Sequence, residues 1–344
     1  MKMTFRWFGK DDPVTLEKIR QIPLITGIVS AVYDVPAGEV WPEDAIDRIK
    51  DAAGENGLEF EVVESVPVHE DIKLGLSSRE RLTENYCENI RRLAKAGVKV
   101  ICYNFMPVFD WLRSELAHPL PDGSNALAYD DETVKSLDPL RSKLSLPGWD
   151  ESYSREDLVR LMEAYSSLGQ EGLWENFACF LNKVIPVCDE TGMKMAIHPD
   201  DPPWNVFGLP RIITGAESYA RMARICPSTA NGITLCFGSL GANAQNDIAS
   251  AARDYAARIH FVHARNVLRG DERCFEEAPH PSACGSLDMY GILKALHKSG
   301  FDGHMRPDHG RMIWGETGRY GYGLFDRALG AMYLSGLWEA IEKS

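Results

Sequence analysis

The chain has 344 residues, 44% hydrophobic and 25% charged, with a formal net charge of −13. That is the composition of a globular chain, long enough for one large or two medium domains, and its acidity disfavours non-specific binding to nucleic acid or anionic membrane. The opening "MKMTFRWFGKDDPV" lacks the apolar region of a secretory leader, and no stretch reaches the roughly 18 apolar residues of a membrane span, so neither a leader nor a membrane partner is expected.

Taken in chain order, short β-rich runs alternate with longer helical patterns. Strands are predicted over 5–9, 26–32, 59–68, 98–105, 194–200, 232–239, 259–266 and 304–310. Helices are predicted between them: "WPEDAIDRIKDAAGENG" repeats its apolar residues at helical spacing and stops at Asn-Gly, "SRERLTENYCENIRRLAKAG" runs straight into the fourth strand, and "LWENFACFLNKVIPVCDETG", "AESYARMARICP" and "SLDMYGILKALHKSG" precede the fifth, sixth and eighth. Eight strand–helix units imply a parallel sheet with crossover helices, and eight favour closure into an α/β (β/α)8 TIM barrel, one domain over 1–344. An open doubly wound sheet is the weaker reading, because no G-x-G-x-x-G follows an early strand. Residues 106–156, rich in Pro, Gly, Asp and Ser, break the rhythm after the fourth strand; they are expected to form a lid or an oligomer contact, and a homodimer or larger homo-oligomer is expected. Eight cysteines without a C-x-x-C pair read as reduced thiols, so a cytoplasmic setting is expected.

The last four strands end in "AIHPDDPP", "TLCFGS", "FVHARN" and "RPDHGR", placing His198, Cys236, His263 and Asp308 at intervals of 38, 27 and 45 residues, each close to one strand–helix unit. In a barrel such strand ends converge on one rim, and imidazole, thiolate and carboxylate are all metal ligands. Two imidazoles, one carboxylate and one thiolate suit Mn, Fe(II), Co or Zn better than Mg or Ca. His260, of opposite strand parity to His263, is expected to point elsewhere. His69, His118, His280, His297 and His304 are expected to be structural, with His69 kept in view because it ends the third strand. Alternation along a strand should also separate Asp308 from His309: Asp308 would bind metal while His309, beside Gly310, turns to substrate as a general acid or base, imidazole titrating near neutrality. Arg306 and Arg311 could hold a substrate carboxylate or fix the loop.

"AIHPDDPP", "LCFGSLG", "IHFVHARN", "MRPDHGR", the tail "GYGLFDRALGAMYL" and the opening "FRWFGKDDPVTLEKIRQIPLITGIVSAVYDVPAGEVW" together resemble the mannonate dehydratase family, lyases of hexuronate catabolism. The resemblance implies a xylose-isomerase-like barrel that removes water from D-mannonate to give 2-keto-3-deoxy-D-gluconate with Mn2+ or Fe2+. It also implies that His198, Cys236, His263 and Asp308 hold one metal ion and that His309 and Tyr322 are the catalytic pair. Tyr320 competes with Tyr322, which stands in the matching "GYG". Arg6, Asn104, Asp200, Arg265 and Asn266, at other strand ends, are candidates for the substrate's hydroxyls and carboxylate, as readily as for structural hydrogen bonds. A sugar or sugar-acid isomerase on the same scaffold is the alternative activity, but it would normally want a more carboxylate-rich site.

Overall fold

A computed structural model describes residues 1–137 and 154–344. Eight parallel strands close a barrel: β1 (Lys2–Arg6), β2 (Ile25–Ser30), β3 (Glu59–Glu64), β4 (Val100–Tyr103), β5 (Lys194–Ile197), β6 (Asn231–Cys236), β7 (Ile259–His263) and β8 (His304–Arg306), with β8 pairing back onto β1. Among the described residues, no helix is long and apolar enough to cross a membrane.

The predicted strands all exist, but their ends differ. β1 starts three residues before the predicted run, at Lys2. The sixth run was expected to continue to 239, yet a short helix, Phe237–Gly241, begins directly after Cys236. The eighth was expected to reach 310 and ends at Arg306. The expected helices form at Glu43–Glu55, Arg79–Ala96, Ala216–Ile225 and Met289–Lys298. The one before β5 is longer than expected, running from Arg155 to Thr191 with a break at Gly169, whose φ of 67° lies in the left-handed region that glycine tolerates.

Strand alternation sorts the barrel. Val29, Val62, Val100, Cys102, Ala196 and Phe261 form an apolar layer separate from the large core shared with the helices. Inward parity then carries upward from Val62 to Glu64, from Ala196 to His198 and from Phe261 to His263, so the interior ends in polar side chains at its C-terminal mouth. His260, on the other face of β7, donates from Nε2 to the Thr229 carbonyl at 2.7 Å, as its parity required. Its ring lies over Gly232, where a Cβ would sit 2.1 Å from Cδ2, so only glycine fits.

Burial pushes the His260 imidazole down from 6.5 to about 4. The unfolded chain therefore takes up this proton first as pH falls, and stability is lost between about pH 6.5 and 4. His260→Gln keeps a donor for the Thr229 carbonyl without titrating. It should flatten the loss of urea midpoint across that window relative to the wild type; equal slopes would refute the assignment.

The segment after β4 carries regular structure that was not predicted. Its described part supplies strands Glu115–Pro119 and Asn125–Asp130 and a short helix, Asp131–Ser136. These strands join Asn266–Arg269 and Cys274–Ala278, from the connection after β7, in a four-stranded antiparallel sheet. Residues 138–153 of the expected insertion lie outside the described residues.

Candidate active site

His198, Cys236 and His263 present ligand atoms that all lie within 4.8 Å of one another. His198 Nε2 faces His263 Nδ1 at 3.1 Å. Asp308 completes the group, with Oδ2 3.7 Å from Cys236 Sγ and Oδ1 3.7 Å from His263 Nδ1.

Hydrogen bonding fixes the imidazoles. His198 Nδ1 lies 2.7 Å from the Pro199 carbonyl, which can only accept, so this nitrogen carries the proton and Nε2 is a lone pair. His263 Nε2 lies 3.3 Å from Glu64 Oε2, an ion-pair contact outside hydrogen-bond geometry, and a proton on Nε2 facing that carboxylate leaves Nδ1 as a lone pair. Two lone pairs 3.1 Å apart repel, and a cation between them removes the conflict. A carboxylate behind a ligating histidine is the usual support of a metal centre. The donor set therefore fits one divalent ion.

A second trio, Glu64, Cys102 and His263, is equally close but uses the protonated side of His263. Burial pushes the Cys102 thiol well up and outweighs the 3.2 Å contact with the Thr234 hydroxyl, which works to lower it, so no thiolate is on offer there.

Asp308 and His309 do not separate by strand parity, as was expected, because β8 has already ended at Arg306. Asp308 takes a left-handed backbone conformation, φ 62°, and both side chains turn to the mouth, with His309 Nε2 3.9 Å from Asp308 Oδ1. Their partners still divide them. Asp308 is paired with Arg306 at 2.7 Å and Arg265 at 2.8 Å as well as facing the ligand group. Burial works to raise its carboxyl, but Arg306 and its other cationic neighbours outweigh this and hold it well down. His309 instead places Nε2 2.9 Å from the Tyr322 hydroxyl and Nδ1 3.3 Å from Glu277 Oε1. Burial pushes the Tyr322 phenol up to about 12, which keeps it protonated. Tyr320 is 42% exposed, whereas Tyr322 meets His309; the geometry separates the two tyrosines.

The remaining candidates divide in two. Arg6 and Arg306 end β1 and β8 inside the mouth, flanking Glu64 at 3.1 and 2.9 Å. Both are buried, and among the described residues each has an Nε and an Nη1 without a hydrogen-bond partner, although Arg6 Nη1 is the atom that faces Glu64, so both have donors to offer an anion. Arg265 is held by Asp201, Glu277 and Asp308; its guanidinium lies against Gly238, where a Cβ would come within 2.5 Å. The other four fasten loops. Asp200 accepts from the Ile213 amide at 2.8 Å, Asn104 accepts from the Met106 amide at 3.1 Å, and Asn266 ties Val267, Leu287 and Pro281 together. Arg311 pairs with Asp326 and Asp122 at 2.8 and 2.7 Å. Buried strand ends have backbone groups to satisfy, and Asp200, Asn104 and Asn266 satisfy them, whereas Arg311 bonds only side chains.

The other histidines are structural. His69 caps Glu70–Lys73, His118 pairs with Glu115, His280 donates to the Pro307 carbonyl, His297 meets Trp338 edge-on and His304 pairs with Glu61. Sequence reading missed Glu64, although its parity with inward Val62 was a usable signal. It also missed Glu277, whose "CFEEA" reads as a surface acidic pair.

Fold and cluster define a closed (β/α)8 barrel with metal-type side chains gathered at its mouth. At low identity the fold is shared with D-psicose 3-epimerase from Clostridium cellulolyticum H10, at a TM-score of 0.56 and 15% identity over 100% of this chain and 97% of that one. The family model described as D-mannonate dehydratase (UxuA) matches residues 1–344. A mannonate dehydratase of Streptococcus uberis is 55% identical over 100% of this chain and 99% of its own length. The crystal structure of mannonate dehydratase from Streptococcus suis serotype 2 has a TM-score of 0.93 and 47% identity, over 100% of this chain and 95% of that one. The chain belongs to the D-mannonate dehydratase family, whose members are metal-dependent hydro-lyases.

Proposed function

We propose that this chain dehydrates D-mannonate to 2-keto-3-deoxy-D-gluconate, with His198, Cys236, His263 and Asp308 holding one Mn2+ or Fe2+ and with His309 and Tyr322 moving the protons. The observation that carries the reading is the placing of a hydrogen-bonded imidazole–phenol pair, 2.9 Å apart, beside the gathered side chains of His198, Cys236, His263 and Asp308.

The reaction needs two proton transfers. The C2–H bond breaks and its proton goes to a base; the C3–O bond breaks and the leaving oxygen takes a proton, departing as water. The resulting enol ketonises. When bound, a divalent cation supplies Lewis-acid stabilisation of the charge that builds at C2 and the carboxylate. Arg6 and Arg306 offer the substrate's carboxylate guanidinium donors in a buried mouth, where such contacts are strong. Trp111, from the insertion after β4, packs against the pair with its ring 5.4 Å from that of His309, and the chain is read as a single domain whose insertion is a lid or an oligomer contact.

Incubation of the Mn2+-loaded protein with D-mannonate tests the reading. A 2-keto-3-deoxy acid is expected; an isomeric sugar acid retaining all its oxygens would support the isomerase instead, and no turnover would refute both.

A further inference from the structure

We propose that Glu277 is a positioning residue for this reaction: carried over the rim by the accessory sheet, it holds His309 as the tautomer protonated on Nδ1, leaving Nε2 to accept the substrate proton. The proposal rests on the reading of His309 and Tyr322 as proton carriers.

Glu277 is 1% exposed, on strand Cys274–Ala278. Its carboxylate accepts from Arg113 Nη2 at 2.9 Å and from Arg265 Nη1 at 2.7 and 2.8 Å. Burial alone would raise this carboxyl, but Arg265, the His309 contact and Arg113 outweigh it and hold it at about 2. An ionised carboxylate only accepts, so the 3.3 Å contact to His309 Nδ1 is favourable only with the hydrogen on Nδ1. Nε2 is then the lone pair, and the Tyr322 hydroxyl 2.9 Å away donates to it.

The order carboxylate, imidazole, phenol assigns the roles. His309 Nε2 takes the C2 proton as the C2–H pair becomes the C2–C3 double bond. Tyr322 gives its proton to the departing C3 oxygen, which leaves as water. The products are an imidazolium, stabilised by Glu277, and a phenolate. The proton then passes from Nε2 to the phenolate across their direct contact, and the pair is reset without an outside proton. The same arrangement gives the accessory sheet a task. One of its strands carries Glu277, and the segment after β4 supplies both a neighbouring strand and Arg113, which is itself locked to Asp201 at 2.9 Å.

A double-mutant cycle on the Mn2+-loaded enzyme tests this. Glu277→Gln offers Nδ1 an amide that can present N–H as readily as C=O, and should lower kcat by about 10²–10⁴-fold. KM for D-mannonate and bound metal should stay at wild-type values. On a His309→Asn background the same change should cost nothing further, because Glu277 would act only through His309. An equal loss in both backgrounds would make Glu277 merely structural, and no loss in either would also overturn the proposal. If His309→Asn alone keeps its turnover, the proton-carrier reading has failed instead. Glu277→Asp keeps the charge between the arginines but withdraws it from Nδ1, and is the variant to use if Glu277→Gln does not fold; unchanged kcat would again overturn the proposal. A histidine 15N spectrum of the wild type loaded with diamagnetic Zn2+ reads the tautomer directly, with His309 identified by its absence from His309→Asn. Protonated Nδ1 is expected, and a neutral ring protonated on Nε2 overturns the proposal whatever the variants do.

Discussion

His309→Asn is expected to keep its metal and lose about 10²–10⁴-fold in turnover, the usual worth of a positioned acid or base. The side chain lies between Trp111 and Tyr322, with ring centroids 5.4 and 4.9 Å away, and its two ring nitrogens face Glu277 and the Tyr322 hydroxyl. Asparagine is polar, of similar reach, and unable to carry a proton in this reaction. Tyr322→Phe should resemble it, since the ring keeps its edge-on contact with Phe8 at 4.8 Å and loses only the hydroxyl that meets Nε2. The two together should cost little more than either alone, because residues acting as a unit are not additive. Metal content and turnover measured on the same preparations decide the matter. A metal-free His309→Asn, or a metal-loaded one at full speed, would break the division of labour between Asp308 and His309.

The barrel was legible because its strands are short apolar runs at near-regular spacing, a pattern that burial on both faces requires of a parallel sheet. The meeting of His198, Cys236, His263 and Asp308 was legible for the same reason: adjacent strand ends converge on one mouth. The accessory sheet was not. Its strand Glu115–Pro119 is mostly half-exposed and carries no clean two-residue alternation, so nothing in it marks a strand. Glu277 was hidden with it, since its partners Arg113 and His309 are 164 and 32 residues away in sequence. The parity argument for Asp308 and His309 failed because it assumed a strand where Pro307 and a left-handed Asp308 follow the last paired residue. Asp200, Asn104, Asn266 and Arg311 show a different limit. A polar residue at a strand end has the same appearance in sequence whether it greets a substrate or fastens a loop, and only the backbone around it settles which.

Loss of the metal should abolish activity, and the ligands should differ in how they lose it. His198→Ala is the cleanest change. The ring is half-buried, its only other polar tie among the described residues is to the Pro199 carbonyl, and its removal leaves no charge unpaired. Asp308 is another matter, because its two oxygens also neutralise Arg265 and Arg306 inside the mouth. Deleting that carboxylate outright takes one partner from each of two buried guanidinium groups, leaving Arg265 to Asp201 and Glu277 and Arg306 to Glu64, so the cost should fall below the about 3–5 kcal/mol of a buried pair broken with no other partner. Asp308→Asn avoids most of this, since its amide oxygen still accepts from an arginine. It should bind metal more weakly and recover part of its activity at high metal concentration. Cys236→Ser exchanges a soft ligand for a hard one in a site with two imidazoles, so affinity should fall and preference should move towards harder ions. Glu64→Gln, one step behind His263, should cost about 10–100-fold in metal affinity, the usual worth of a carboxylate that orients a ligating histidine. Metal content after dialysis, followed by turnover against added Mn2+, ranks all four variants. The double variant His198→Ala/Asp308→Ala is the decisive one: full, tight occupancy in a folded preparation would mean that the ion sits elsewhere.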